Sequence, residues 1–457
     1  MKHESLPQFH IHPHKAKQAT PAQIIILGFL GIILAGALLL MLPISSQAGV
    51  VTPFSDALFT ATSATCVTGL VVHDTATYWS PFGQLVLLSL IQIGGMGVVT
   101  VAVAVVMFSG RKIGLRQRWV MQESISAPQV GGIVRMTSFI LKSMLLIEGT
   151  GAILLSLRFC SQFGLFQGLW YGIFHAISAF CNAGFDLMGT STPYSSLTSY
   201  VGDPLVWGPV ALLIFVGGLG FLTWHDLWEH RLRFRAYRLQ SKVILVSTAG
   251  LLLLSFLFFL CYEFQLPQWT GLSGWERFNA SVFQAVTPRT AGFNSVDLTL
   301  LSEPGKLITI LLMLVGGAPG STAGGFKVTT LTVLLLSARA VFFRRGSPNC
   351  FGRRFQDEAL RSASAIFLMY LVFFLLGGTL ICCIDSVPLL DALFESASAI
   401  GTVGLSICGT PGLSLSSHLI LTFLMYVGRV GGLTMIYAVT SGSPVSSQYP
   451  QERVTVG

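Results

Sequence analysis

Charged side chains are scarce in this sequence. Asp, Glu, Lys and Arg make up only 10% of its 457 residues, whereas soluble domains carry about 25%. Residues 22–46 and 81–110 contain no charged side chain at all, and each stretch is longer than the roughly 20 residues that a helix needs to cross a bilayer. The shortage excludes a soluble globular protein, which could not cover its surface with polar groups, and predicts an integral membrane protein.

The sequence also lacks the motifs of metal-dependent and serine enzymes. Its eight cysteines form no CxxC pair, which argues against a disulfide framework and against a structural zinc site. There is no HExxH motif and no GxSxG elbow, the signatures of zinc proteases and of serine hydrolases. The segment HDLWEH at 225–230 has the wrong spacing for HExxH. We therefore expect no enzymatic activity and no bound cofactor.

The positive charges that are present are clustered. Most Lys and Arg residues lie in the N-terminal tail and in three linkers, 111–142, 231–242 and 339–361, whereas segments 47–80 and 385–417 carry acidic residues and no basic ones. The positive-inside rule places the tails and the basic linkers in the cytoplasm. The pattern predicts eight spanning helices in lipid with both termini cytoplasmic. Its alternation with apolar spans argues against a nucleic-acid partner.

A short motif that contains glycine recurs four times. Residues 56–70, DALFTATSATCVTGL, match residues 391–405, DALFESASAIGTVGL, at eight of fifteen positions, and weaker copies occupy 171–185 and 283–293. The four motif glycines, separated by 115, 108 and 112 residues, are Gly69, Gly184, Gly292 and Gly404. Such nearly uniform spacing indicates an internal repeat.

Each copy of the motif is preceded by a short segment and flanked by two apolar spans. Residues 54–65 would reach about 18 Å as a helix, against about 30 Å of hydrocarbon, so we expect re-entrant pore helices whose following backbone lines water or protein. The predicted fold is an all-α integral membrane protein with four repeats of spanning helix, pore helix and spanning helix, in pseudo-fourfold symmetry around one pore. The predicted boundaries are a tail at 1–21, repeats at 22–110, 111–225, 226–340 and 341–440, and a tail at 441–457.

The residues around the four glycines predict a cation filter. Glycine adopts the dihedral angles that turn successive carbonyls toward a pore, and carbonyls replace the water of a cation without holding it by a full charge. The residues before each glycine are uncharged, which favours a monovalent ion over calcium. The predicted ion-binding residues are Val67, Thr68, Gly69, Asn182, Ala183, Gly184, Thr290, Ala291, Gly292, Thr402, Val403 and Gly404.

A glycine-rich segment interrupts the second span of the third repeat, where it will not hold a regular helix. We expect an intramembrane loop that gates the pore, with a kink used only for close packing as the alternative. Arg429 lies near the middle of the last span, and we expect it to hydrogen-bond the loop carbonyls or to form an electrostatic barrier, with packing at a subunit interface as the alternative. The predicted gate residues are Gly316, Gly317, Ala318, Pro319, Gly320, Ser321, Thr322, Ala323, Gly324, Gly325 and Arg429.

These motifs make the sequence similar to the Trk/Ktr/HKT superfamily of potassium-uptake proteins, over nearly the whole chain. The resemblance rests on CVTGL at 66–70, CNAGF at 181–185, RTAGF at 289–293, GTVGL at 401–405, GGAPGSTAGGFK at 316–327 and GRVGG at 428–432. The bacterial Ktr membrane subunit is the member it is most like. The resemblance implies a bacterial inner-membrane protein, K⁺ selectivity from four filter glycines, a homodimer with one pore per protomer, and a ring of cytosolic nucleotide-binding regulatory subunits.

Channel-like uptake of K⁺ is the expected function. A secondary transporter coupled to sodium or protons is the alternative. Such transporters often contain inverted repeats, whereas the basic linkers here always fall on one side of the predicted membrane, which favours a pore.

Overall fold

The computed structural model describes most of the chain between residues 20 and 435. The described residues are 20–97, 100–101, 120, 122, 133–190, 192–231, 233–344, 347–432 and 434–435. The predicted terminal tails therefore lie almost entirely outside the described residues. Within the described part the chain is almost wholly helical, and its strands are the antiparallel pair β1 (Asn349–Cys350) and β2 (Arg353–Arg354).

The helices follow one another with short connections. In the first half of the chain they are α1 (Pro21–Leu40), α2 (Phe54–Cys66), α3 (Thr75–Tyr78), α4 (Pro81–Met96), α5 (Ile133–Phe163), α6 (Leu165–Phe180), α7 (Pro204–Gly218) and α8 (Phe221–His230). In the second half they are α9 (Leu239–Cys261), α10 (Gly274–Val286), α11 (Glu303–Leu314), α12 (Val328–Phe342), α13 (Asp357–Asp385), α14 (Leu389–Gly401) and α15 (Leu415–Val430). Single 3₁₀ turns occupy Pro43–Ser45, Thr198–Tyr200, Phe234–Ala236, Glu263–Gln265, Pro267–Trp269, Leu298–Leu300 and Thr410–Gly412.

Four of the described helices are long and apolar enough to cross a membrane: α1, α5, α9 and α13. Each of the segments predicted as a second span is instead interrupted. Helices α7 and α8 meet at a bend of 95°, α11 and α12 are separated by residues 315–327, and α4 and α15 end at Met96 and Val430. The eight predicted spans are thus represented, in the described part, by four long helices and four broken segments.

The start of each interrupted segment is set by a side-chain cap. The residue before α4, α7, α11 or α15 accepts a hydrogen bond from a backbone amide in the first turn, which satisfies one of the amides that a helix start leaves unpaired. These capping residues are Ser80, Asp203, Ser302 and Ser414. Helices α4 and α15 both end at a glycine with φ near 90°, Gly97 and Gly431, a conformation that terminates helices because only glycine adopts it freely.

The short helices α2, α6, α10 and α14 occupy the centre of the fold. From Ala57 to Cys66, α2 has only one residue that is not fully buried, and α14 is buried from Phe394 to Gly401. The long helices surround this centre and expose large apolar side chains, among them Leu27, Leu38, Leu146, Ile153, Leu254 and Leu376. An apolar exterior of this extent is what a protein surrounded by lipid presents.

Candidate ion pathway

The stretches that follow the four central helices share one backbone conformation. The residue two positions before each motif glycine has a positive φ, 57° at Val67, 59° at Asn182, 71° at Thr290 and 51° at Thr402. It directly follows α2 and α14, is the second residue after α6 and is the fourth residue after α10. The glycine two positions later has a φ of 94°, 70°, 80° or 95°, in the same order. Only glycine adopts such angles at little steric cost, so the recurring glycine is explained by the turn that it makes. We call these four stretches, 67–69, 182–184, 290–292 and 402–404, the filter segments.

The filter segments form a closed ring. A methyl group added to any of the four glycines would lie 2.2–2.8 Å from a main-chain oxygen of the next segment in chain order, and the fourth segment meets the first. The pairs in contact are Gly69 with Ala183, Gly184 with Ala291, Gly292 with Val403 and Gly404 with Thr68. The twelve predicted filter residues are therefore brought together, and each of the eight that are not glycine is at most 1% exposed.

Hydrogen bonds to the preceding helix hold the first and fourth filter segments in the same way. The Thr68 amide donates to the Ser63 carbonyl (2.8 Å), and the Gly69 amide donates to the Ser63 hydroxyl (3.1 Å). The equivalent amides of the fourth segment donate to the carbonyl (2.8 Å) and the hydroxyl (3.0 Å) of Ser398. The central helices thus fix the amide side of the filter and leave the carbonyl side for other partners.

The carbonyl oxygens of the filter segments accept no hydrogen bond from the described part of the chain. No described residue donates a hydrogen bond to a carbonyl of the twelve predicted filter residues. In the second and third segments the Ser178 and Thr287 hydroxyls donate one residue further on, to the carbonyls of Phe185 (2.7 Å) and Phe293 (2.6 Å). Carbonyls without a donor inside a membrane protein need water or an ion, so the ring presents ligands suited to a cation.

Two cavities lie along the pathway. One of about 670 Å³ is lined by the four filter glycines and by Asp74, Asp186 and Asp297, and no Lys or Arg is among the described residues around it. The other, of about 700 Å³, is lined by residues between Pro319 and Lys327 and by Arg429. The first cavity carries negative charge and the second positive charge, so a cation is attracted at one side of the ring and repelled near the loop at the other.

Residues 315–327 form the predicted loop between α11 and α12. The Ala318 amide donates to the Gly218 carbonyl (2.9 Å), and the Phe221 amide donates to the Gly320 carbonyl (2.8 Å), which ties the loop to the bend between α7 and α8. A methyl group on Gly324 would lie 1.9 Å from the Thr402 hydroxyl. The loop therefore packs directly against the fourth filter segment, and the lack of a side chain at Gly324 permits that approach.

Arg429, in the last turn of α15, hydrogen-bonds the loop as expected. One guanidinium nitrogen donates to the carbonyl of Thr322, and the other donates to the carbonyls of Gly94 and Gly95 at the end of α4. The contact with α4 was not anticipated. Arg429 connects the loop to the first interrupted segment, so one planar side chain links three elements that lie far apart in the sequence.

Comparison with known proteins identifies the family. The family model described as "TrkH: Cation transport protein" matches residues 2–448. The chain belongs to the TrkH cation transport family. It is 40% identical over 441 residues to the Ktr system potassium uptake protein B of Bacillus subtilis, covering 96% of this chain and 97% of that protein. It is 38% identical over 448 residues to the potassium/sodium uptake protein NtpJ of Enterococcus hirae, with 96% and 98% covered.

A solved member of the TrkH family has the same fold. The crystal structure of the potassium transporter TrkH from Vibrio parahaemolyticus matches with a TM-score of 0.71, covering 94% of this chain and 86% of that chain at 18% sequence identity. At that identity the likeness concerns the fold alone. This chain is accordingly a mostly helical membrane protein of a transporter family, and it is not an enzyme.

Two buried polar side chains hold the stretches that leave the filter of this TrkH-family chain. Glu395, which is 0% exposed, accepts hydrogen bonds from the Ser406 and Thr410 hydroxyls and from the amides of Ile407 and Cys408. His175 occupies the equivalent position of α6, where its Nε2 accepts from the Leu187 amide (3.2 Å). Sequence reasoning missed both residues. Aligning residues 171–185 with 391–405 would have shown two polar groups at one position of an apolar helix.

Glu148 and Arg289 are two further buried charged groups near the TrkH-family filter. Glu148 accepts from the Gln92 side-chain amide at 3.2 and 3.1 Å. Arg289 immediately precedes the third filter segment, is 8% exposed, and its Nε has no hydrogen-bond partner among the described residues. Lys327 closes the loop by donating to the carbonyls of Ala323 (2.7 Å) and Gly324 (3.2 Å). These contacts add polar support around the ring without placing a carboxylate in it.

Proposed function

We propose that this chain takes up K⁺ across a bacterial inner membrane by channel-like conduction through the ring of filter segments. The observation that carries the proposal is the closed ring, whose carbonyl oxygens accept no hydrogen bond from the described residues. Carbonyl ligands replace the hydration shell of a monovalent cation and still release it. The names of the two bacterial relatives specify potassium or potassium/sodium uptake. They support K⁺ as the transported ion.

The architecture that goes with this function is a pseudo-fourfold one. In the proposal the four predicted repeats each contribute a long helix, a central helix that re-enters the membrane, and an interrupted segment, and the pore follows the axis of the ring. The equivalent contacts of Ser63 and Ser398 with their filter segments support the equivalence of repeats one and four. Both termini are proposed to be cytoplasmic, because the basic linkers cluster on one predicted side.

The loop at 315–327 is proposed as the gate. It contacts the fourth filter segment at Thr402 and is held by Arg429, whose positive charge lies in the cavity beneath the ring. A cation leaving the filter on that side meets both an obstructing backbone and a like charge. Opening then requires the loop to leave Arg429, and the filter itself need not change.

The partners are proposed from the family resemblance. They are a second copy of the chain, each copy with its own pore, and a ring of cytosolic nucleotide-binding subunits beneath the dimer. Ktr system potassium uptake protein B of Bacillus subtilis is named as one component of a system, which supports a further subunit. Multi-angle light scattering of the purified chain tests the dimer, since a monomer mass after subtraction of detergent would exclude it.

Uptake of rubidium-86 into proteoliposomes tests the filter, with K⁺ or Na⁺ as competitor. A side chain at Gly69 would meet the Ala183 carbonyl at 2.5 Å and would need a φ of +94°, so Gly69→Ser is expected to abolish the preference for K⁺ over Na⁺. Gly49→Ser is the matched control, because Gly49 has a φ of +69° but no neighbour within 4 Å. Equal selectivity in wild type and Gly69→Ser would show that the ring does not determine the preference for K⁺ over Na⁺.

The same vesicles distinguish conduction from coupled transport, the remaining alternative. Channel-like flux follows the electrochemical gradient of Rb⁺ alone, so an imposed sodium or proton gradient should not drive accumulation when the membrane potential is clamped. If accumulation of Rb⁺ requires a sodium or proton gradient, the chain is a coupled secondary transporter and not a channel.

A further inference from the structure

The short helix α8 is connected mechanically to the loop at 315–327. It begins directly after Gly220, where a methyl group would lie 2.8 Å from the Pro319 carbonyl. The first amide of the helix, that of Phe221, donates to the Gly320 carbonyl (2.8 Å). A displacement of α8 would therefore also displace the loop, because the first turn of α8 contacts the loop directly.

The other end of α8 carries a cluster of possible metal ligands. Asp226, Glu229 and His230 follow the i, i+3, i+4 spacing that places side chains on one face of a helix. One ligand atom from each side chain lies within 4.8 Å of the other two. The arrangement has the size of a metal site built from one helix, with two carboxylates and one imidazole.

Two atoms of this cluster are buried and have no hydrogen-bond partner among the residues that the structure describes. They are Asp226 Oδ1 and His230 Nδ1, and 3.8 Å separates them, too far for a hydrogen bond. The Asp226 side chain is only 1% exposed. Ligand atoms that bind one metal ion at about 2.0–2.2 Å lie about 3–4 Å from each other. An ion between them would satisfy both atoms, which an empty gap does not.

The second carboxylate oxygen of Asp226 is already held in place. Asp226 Oδ2 accepts from the Ser241 hydroxyl (2.6 Å) and from the Arg238 amide (3.0 Å). Contacts of this kind orient a ligating carboxylate and are typical of the surroundings of a metal ion. They also connect the cluster to the start of α9, so a bound ion would fix α8 against the next long helix.

Two neighbouring groups compete with an ion for these ligands. Arg238 Nε lies 3.6 Å from Asp226 Oδ1, but the Arg238 side chain is 55% exposed and can withdraw into water. His225 Nδ1 lies 3.5 Å from a carboxylate oxygen of Glu229, on a side chain that is 56% exposed. Neither contact is a hydrogen bond.

We propose that Asp226, Glu229 and His230 bind one divalent first-row transition-metal ion at the end of α8, and that the bound ion alters gating through the contact of α8 with the loop. Imidazole together with carboxylates suits Zn²⁺, Mn²⁺ and their neighbours, whereas Ca²⁺ and Mg²⁺ prefer oxygen ligands alone. The binding half of the proposal is independent of the transport activity. The gating half rests on the proposed function.

Titration with Co²⁺ tests the binding half directly. The full-length protein is purified without a polyhistidine tag, and the visible absorption of bound Co²⁺ is followed before and after displacement by Zn²⁺. His10, His12 and His14 are replaced by glutamine throughout, so that the N-terminal tail contributes no signal. We expect one Co²⁺ per chain, and at least a tenfold loss of affinity in both Glu229→Gln and His230→Ala. Asp226 is not substituted, because its contacts with Ser241 and Arg238 support the fold.

Two further variants separate a metal site from a structural ion pair. Arg238→Ala removes the competing cation but keeps the backbone amide that donates to Asp226, so it is expected to raise the Co²⁺ affinity. Glu358→Gln changes an exposed acid elsewhere and should leave it unchanged. Absence of a Co²⁺ band in both wild type and Arg238→Ala, or a band unaffected by His230→Ala, would overturn the site.

The gating half is tested by rubidium-86 uptake at a Zn²⁺ concentration that saturates the site. Uptake by wild type is expected to change by several-fold on adding Zn²⁺, and uptake by His230→Ala is expected to stay constant. An unchanged wild-type rate, in a protein shown to bind the metal, would rule out coupling to the loop. A protein that binds Co²⁺ but transports no Rb⁺ would instead refute the proposed function and leave the metal site standing.

Discussion

At the scale of single residues, Glu395 shows how one buried side chain can position a filter. Its carboxylate accepts four hydrogen bonds from the stretch that follows the fourth filter segment. A carboxylate has acceptors only, so it satisfies four donors where an amide cannot. Under the proposed function, Glu395 affects ion flux through the backbone that it holds and not by contact with the ion.

Substitution of Glu395 should therefore lower both stability and selectivity. Glu395→Gln places an NH₂ group among donors, and we expect a loss of about 1–3 kcal/mol in the free energy of unfolding, seen as a lower melting temperature in detergent, together with a reduced preference for Rb⁺ over Na⁺. Glu303→Gln, at a side chain that is 73% exposed, is the control and should change neither quantity. Equal melting temperatures for the two variants would contradict the role assigned to Glu395.

Arg429 makes the second prediction at this scale. Its planar guanidinium reaches the Thr322 carbonyl and the end of α4 at once, a geometry that the single ammonium of lysine cannot reproduce. We expect Arg429→Ala to raise the initial rate of rubidium-86 uptake several-fold and Arg429→Lys to give an intermediate rate. If both variants take up Rb⁺ at the wild-type rate, Arg429 neither holds the loop nor repels the ion.

At the scale of elements, the loop at 315–327 is held at its middle by Thr322. The Thr322 hydroxyl donates to the Phe180 carbonyl at the end of α6 (3.0 Å), and its amide lies 3.3 Å from the Gly217 carbonyl. The loop is thereby attached to a central helix, to α7 and, through Arg429, to α15. Under the proposed gating mechanism, opening requires these contacts to be released together.

Loosening one attachment should shift the loop toward the open state. Thr322→Val keeps the shape of the side chain and removes the hydroxyl, which donates to the Phe180 carbonyl and accepts from the Asn182 side-chain amide (3.4 Å). A lost hydrogen bond is worth about 1 kcal/mol, so we expect at least about a fivefold increase in rubidium-86 uptake with unchanged selectivity between Rb⁺ and Na⁺. Thr379→Val is the control, since the Thr379 hydroxyl is exposed and donates only within its own helix. A selectivity change without a rate change would mean that Thr322 serves the filter and not the gate.

The elements that were predicted from the sequence depend on neighbouring residues, whereas the feature that was missed completely depends on residues far apart in the chain. The central helix α2, predicted over 54–65, is found at Phe54–Cys66, and the loop predicted at 316–325 lies within residues 315–327, because length and glycine content are local properties. The 95° bend after α7 has a local signal in the sequence, the run Gly217-Gly218-Leu219-Gly220, but no bend was predicted there. The contact of Arg429 with Gly94 joins residues 335 positions apart. The local sequence around neither residue indicates it.

At the scale of the whole molecule, the two cavities carry charges of opposite sign, so the electrostatic potential differs between the two sides of the ring. The cavity lined by the four filter glycines contains Asp186, just beyond the second filter segment, and burial, together with the nearby negative charge of Asp74, raises the pKa of Asp186 to about 7. A carboxyl group with a raised pKa is neutral below that value and charged above it. The cavity therefore gains a negative charge as the pH increases from 6 to 8.

The apparent affinity for the transported ion should follow this charge. We expect the KM for Rb⁺ to decrease severalfold between pH 6 and pH 8 in the wild type, because the ionised carboxylate attracts the cation into the cavity, and to vary little with pH in Asp186→Asn. Asp297→Asn removes a charge from the same cavity but leaves Asp186 in place, so its KM should keep the pH dependence. A pH dependence that survives Asp186→Asn would have to be assigned to another group.

The contact between Gly404 and Thr68 also imposes an order on biosynthesis. The last segment of the ring is translated 335 residues after the first, an interval of about 20–70 s at the 5–20 residues per second of a ribosome. Until the fourth segment is made, the nascent chain contains at most three neighbouring segments of the ring. A nascent product that stops before the fourth segment would leave the ring open on one side, so under the proposed mechanism selectivity between ions requires the final quarter of the polypeptide.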